Sequence, residues 1–119
     1  MGDTYEIYFG SAGSGNPKER FAELVSAAID APLQPDDDPY RNYWAERDGV
    51  YFDLYSEHGM DNDAGIPFEQ MPYSVTLRSD IAREEQLRIA EAVFERLREA
   101  GLRPIYLVWG IERTIRHAD

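Results

Sequence analysis

The 119-residue sequence contains no cysteine, which excludes structural disulfides and thiolate metal sites and leaves the fold to stand on packing alone. Lysine is almost as scarce: Lys18 stands against eleven arginines, and His58 and His117 are the only histidines. Positive charge is short altogether, with 12 basic residues facing 23 acidic ones for a net charge of −11. That balance works against a surface that reads nucleic-acid phosphates or an anionic membrane, and it favours a basic partner. Long apolar runs are missing too. No stretch reaches the roughly 20 residues of a membrane span, and the N-terminus has no basic region followed by an apolar run. Gly2 is followed by Glu6 where a myristoylation signal needs Ser or Thr. These absences lead to the expectation of a cytoplasmic, soluble protein with neither a membrane nor a nucleic-acid partner. The absence of repeats and low-complexity tracts, with 43% hydrophobic and 13% aromatic residues, predicts one domain, 1–119, large enough to bury a core.

The clearest pattern present runs over residues 80–110. Leu87, Ala90, Val93, Phe94 and Leu97 recur at three- and four-residue spacing, with Glu84, Arg88, Glu91, Glu95 and Arg98 between them, as in an amphipathic helix. Asp80 is read as its N-cap and Gly101 as its left-handed stop. The following Ile105–Trp109 is a short apolar run with β-branched and aromatic members, the pattern of a strand covered on both faces.

Elsewhere the two-residue period is plain. Tyr5, Ile7 and Phe9 alternate with Thr4, Glu6 and Tyr8, and Tyr73, Val75 and Leu77 alternate with Ser74, Thr76 and Arg78. Asp48 and Gly49 predict a two-residue turn between hairpin arms at Arg41–Arg47 and 49–56. A first helix opens with Asn16 as N-cap, Pro17 and Glu19, buries Phe21, Leu24, Val25, Ala28 and Ile29, and stops near residue 30, before Pro32. Residues 32–39 and 57–72 are read as loops, the second long enough to be either functional or mobile. The tail after residue 110 is expected to pack one turn or to fray. The resulting order, β-α-β-β-β-α-β, predicts an α+β two-layer sandwich, ferredoxin-like with an added strand: a mainly antiparallel sheet of four or five strands with both helices on one face.

Motifs that carry chemistry are weak. The glycine-rich turn at 10–15 sits where phosphate loops occur, yet a Walker loop needs Lys at the position of Asn16, and Lys18 is two residues late. A dinucleotide fingerprint on Gly13 and Gly15 needs a small residue where Lys18 stands. Glu57, His58, Asp61 and Asp63 bring together oxygen and nitrogen donors, but a calcium loop with its glycine at Gly65 would start at Met60 instead of a carboxylate. No Ser, His and acid grouping forms an activated nucleophile. Neither a catalytic residue, a metal site nor a cofactor is therefore assigned, and the chain reads as a binding protein ahead of an enzyme.

The remaining signal is a surface. If Val50, Phe52 and Leu54 face the helices, then Tyr51, Asp53 and Tyr55 share the open face of the sheet with Tyr8, Thr76 and Arg78. The leading expectation is a small acidic protein-binding domain, of the inhibitor or immunity type, engaging a basic partner. Asp36, Asp37, Asp38, Glu57, Asp61 and Asp63 would steer the encounter, with Tyr51, Asp53 and Tyr55 in the contact. One alternative is a small enzyme or phosphate-binding domain with a pocket formed by Gly13, Gly15, Lys18 and His58. The other is a self-associating domain, with the sheet face as a homodimer interface.

Overall fold

In the computed structural model the described residues are 4–10, 18–35, 41–55, 66–67, 71, 73–79, 81–109 and 113–118. Alternating segments form strands β1 (Thr4–Phe9), β3 (Arg41–Arg47), β4 (Val50–Tyr55) and β5 (Tyr73–Ser79), and the apolar run forms β6 (Ile105–Trp109). Helices α1 (Lys18–Ile29) and α2 (Arg83–Glu99) follow β1 and β5. Two strands are additional: β2 (Gln34–Pro35) and β7 (Arg113–Ala118). All pairings are antiparallel, in one sheet of order β2-β3-β4-β5-β1-β6-β7.

The described residues are thus α+β with a seven-stranded sheet, where four or five strands were expected. The loop expected at 32–39 contains β2, whose two residues are too few for a period to be read. The tail expected to pack a turn or fray pairs instead along β6, from Ile105↔Ala118 to Trp109↔Arg113. Its sequence RTIRHA has the charge expected of a sheet edge and little apolar alternation to announce it.

Both helices pack on one face of the sheet. Val25, Ala28 and Ile29 of α1, with Ala90, Val93, Phe94 and Leu97 of α2, form one buried cluster with Ile7, Phe9, Phe52, Val75, Leu77 and Leu107. Each large apolar side chain so buried contributes about 1.5–3 kcal/mol by transfer from water. A smaller cluster lies on the other face, where Ile66 and Met71 join Tyr8, Tyr106 and Val108. The strand β6 is therefore covered on both faces, as its apolar run requires.

The helix ends follow local chemistry. Gly101 has φ +90, and the amides of Gly101 and Leu102 donate to Arg98 and Leu97 carbonyls at 3.0 and 3.4 Å, closing α2. Asp30 occupies the same left-handed position after α1 at φ +56, and the amide of Ala31 donates to the Ser26 carbonyl at 3.2 Å. The N-cap of α2 is Ala82 and not Asp80, and no side chain caps it. Glu84 and Glu85 in the first turn complement the positive end of the helix dipole instead. The proposed N-cap of α1, Asn16, lies outside the described residues. Among the described residues no helix is long and apolar enough to cross a membrane.

Candidate functional site

The register of the hairpin determines what the open face displays. Asp48 and Gly49 both have positive φ, +54 and +82, as a tight turn between right-twisted strands requires. Arg47 is thereby opposite Val50, which sets Glu46 opposite Tyr51 and Trp44 opposite Asp53. The next strands continue these rows: Tyr51 faces Arg78 and Arg78 faces Thr4, while Asp53 faces Thr76 and Thr76 faces Glu6. Directly opposed residues project to the same side of a sheet, so Trp44, Glu46, Tyr51, Asp53, Arg78 and Glu6 share the face away from the helices.

This face has two halves. Over β1 and β6, Ile66 and Met71 cover Tyr8, Tyr106 and Val108, and Tyr106 stacks on His117 with centroids 4.8 Å apart. Over β3, β4 and β5 the aromatic rings reach solvent: Trp44 is 38% and Tyr51 40% exposed. These are the exposed large hydrophobic residues among the described residues.

Charge is arranged around the rings. The Arg78 guanidinium lies 5.1 Å from the Tyr51 ring centroid and donates through Nε to the Asp53 carboxylate at 2.8 Å. Asp53 itself is buried, so the ion pair is anchored at one end and wet at the other. A hydrogen bond to Glu46, followed by the repulsion of its charge, pushes the Tyr51 hydroxyl above its ordinary value. Nearer the centre of the sheet, the Tyr8 hydroxyl donates to Glu6. Burial raises the Glu6 carboxyl above its ordinary value, with the Tyr8 bond acting in the opposite direction, and burial also raises Tyr8. The Glu46 carboxylate at the surface, with the Arg78-paired Asp53 carboxylate opposite Trp44, surrounds the two rings with charge.

Of the residues singled out from sequence, the structure brings Tyr51, Asp53 and Tyr55 together on one face of β4, at two-residue spacing. Asp36, Asp37, Asp38, Glu57, His58, Asp61, Asp63, Gly13 and Gly15 lie outside the described residues, and Lys18 is described only as the first residue of α1. Sequence reasoning missed Trp44 and Glu46. The signal was available, because a two-residue turn at Asp48 and Gly49 dictates their partners once the pairing is counted outward. Among the described residues, no three of His, Asp and Glu gather in a way that could hold a metal ion. No protein-family model matches the chain, and neither a curated protein nor a solved structure matches it.

Proposed function

We propose that this chain is a small protein-binding domain whose contact surface is the open face of β3, β4 and β5, and whose partner is basic. The observation that carries the reading is the pair Trp44 and Tyr51. They are diagonal neighbours across the hairpin and, among the described residues, the two exposed large hydrophobic side chains, whereas Tyr8, Tyr106 and Val108 on the same face are buried. Aromatic residues of this kind, large and stiff with a polar tip, are the usual anchors of protein interfaces. Glu46 beside them, and a net charge of −11, favour a partner that presents Arg or Lys. The acids at Asp36, Asp37, Asp38, Glu57, Asp61 and Asp63 then steer the encounter, as in an inhibitor that blocks a basic enzyme. The chain itself carries out no catalysis in this reading.

The topology belongs to the same proposal. The order β4-β5-β1-β6, with α2 joining β5 to β6 and α1 following β1, supports a ferredoxin-like core to which β2, β3 and β7 are added. One continuous sheet with one main core supports a single domain.

Affinity capture from the source cell's lysate tests the reading, with the wild-type chain and a Trp44→Ser, Tyr51→Ser double variant run side by side. A basic protein retained by the wild type and lost by the variant is the expected result. A partner retained equally by both places the interface elsewhere. A wild-type dimer in solution that becomes a monomer in the variant assigns the same face to self-association instead.

A further inference from the structure

On the helix side of the sheet, the end of α1, the outer face of α2 and the β3–β4 turn enclose an open groove of about 390 Å³. That volume lies within the ~300–1,000 Å³ of small-molecule sites. Its floor is apolar, formed by Ile29, Phe52, Ile81, Ile89 and Val93, while Arg47, Arg88 and Arg96 stand around it. Of the two carboxylates in the lining, Glu85 pairs with Arg88 at 3.1 Å and Asp48 lies 3.5 Å from Arg47, which leaves Arg96 and Arg47 as the cations to consider.

Two of the arginines are held in place by the end of α1. Arg96 donates through Nη1 to the Ala28 carbonyl at 2.7 Å, and Arg47 donates through Nη1 to the next carbonyl, that of Ile29, at 3.0 Å. The last carbonyls of a helix have no intrahelical donor, so these bonds satisfy the helix and tether both guanidiniums to its C-terminal end. Each guanidinium has five N–H donors, and one carbonyl engages only one of them. The carboxylate contacts of Arg47, to Asp30 and Asp48, are both 3.5 Å, longer than a direct charge-assisted hydrogen bond. Among the described residues Arg96 has no carboxylate partner.

We propose that this groove binds a small organic carboxylate with an aliphatic body. The carboxylate is received by Arg96 and Arg47, whose planar forks match its two oxygens, and the body lies over Ile89, Phe52 and Val93. The proposal does not depend on the sheet face, since the groove lies on the opposite, helix-bearing side.

Titration of the full-length chain with octanoate, followed by amide chemical shifts, tests this. Octan-1-ol serves as a probe of the same body without the charge. Saturable shifts confined to residues 89–96 and the β3–β4 turn are expected with octanoate. The alcohol should bind about tenfold more weakly or worse, since charge-assisted bonds of this kind are worth that much or more. Arg96→Gln should weaken octanoate by a similar factor and leave octan-1-ol unchanged. Ala92→Glu, at an exposed position lining the groove, adds a carboxylate without disturbing the core and should also weaken octanoate about tenfold. It decides the matter if loss of the Ala28 contact destabilises the first variant. Absence of saturable shifts overturns the proposal. So does equal binding of the alcohol, or wild-type octanoate affinity in a folded Ala92→Glu protein.

Discussion

Arg78 and Asp53 form an asymmetric ion pair: at 2.8 Å, a guanidinium whose side chain is 51% exposed holds a carboxylate whose side chain is 3% exposed. Removing either end therefore has different consequences. Arg78→Ala leaves a buried carboxylate without its guanidinium and should cost about 1–3 kcal/mol, less than a fully buried pair because half of Arg78 is in water. Asp53→Asn removes the buried charge and leaves an arginine that water can solvate, at a cost of about 1 kcal/mol or less. Urea unfolding of both variants checks the order.

Glu6 predicts a pH dependence of the opposite kind to that of an ion-paired acid. Burial raises its carboxyl above the ordinary value of 4.5, so the folded chain binds that proton more tightly than the unfolded chain. Its contribution to stability is fully present below 4.5 and is lost as pH rises through the raised value. Glu6→Gln keeps an acceptor for Tyr8 and removes the titration. The stability of the variant relative to wild type should rise as pH increases from below 4.5 through the raised value of Glu6, measured by denaturant unfolding at each pH. A constant difference across that range contradicts the assignment.

Gly49 and Gly101 separate conformational strain from crowding. A Cβ at Gly49 would meet Ile81 Cγ2 at 3.5 Å, an ordinary contact, and one at Gly101 would meet nothing within 4 Å. Their φ angles of +82 and +90 are the obstacle. Gly49→Ala and Gly101→Ala should each cost about 1–2 kcal/mol of unfolding free energy, through backbone conformation alone.

Ile66 and Met71, at 1% and 0% exposure, belong to a packed cluster although they come from a segment that reads as loop. Ile66→Ala or Met71→Ala should destabilise the protein by about 2–5 kcal/mol, as for other core truncations. Thermal unfolding measures this, and surface-like effects below about 0.5 kcal/mol would show that the segment does not cover the sheet.

Much of the fold was legible because burial leaves a period in sequence. Leu97, Phe94, Val93 and Ala90 recur at helical spacing, Tyr5, Ile7 and Phe9 alternate, and all are buried together. The Asp48 and Gly49 turn was legible because its backbone demands those residue types. What escaped were features without a period of their own. The strand β7 pairs along the edge of β6 although RTIRHA has little apolar alternation, and β2 is two residues long. Asp80 has the chemistry of an N-cap, but α2 begins past it, at Arg83, behind Ala82. On the candidate face, Tyr51, Asp53 and Tyr55 followed from alternation alone, whereas Trp44 and Glu46 required the register of a second strand. The arginine-rimmed groove draws on β3, the β3–β4 turn and both helices, so no local pattern could announce it.

The exposed rings over β3 and β4 are proposed to form the contact with a basic partner. The most direct test is the affinity of the captured partner for Trp44→Ser and Tyr51→Ser, each verified to fold with near wild-type stability. At least one substitution should weaken binding by about 2 kcal/mol or more, roughly thirtyfold, as for an interface anchor. Full wild-type affinity in both variants would contradict it.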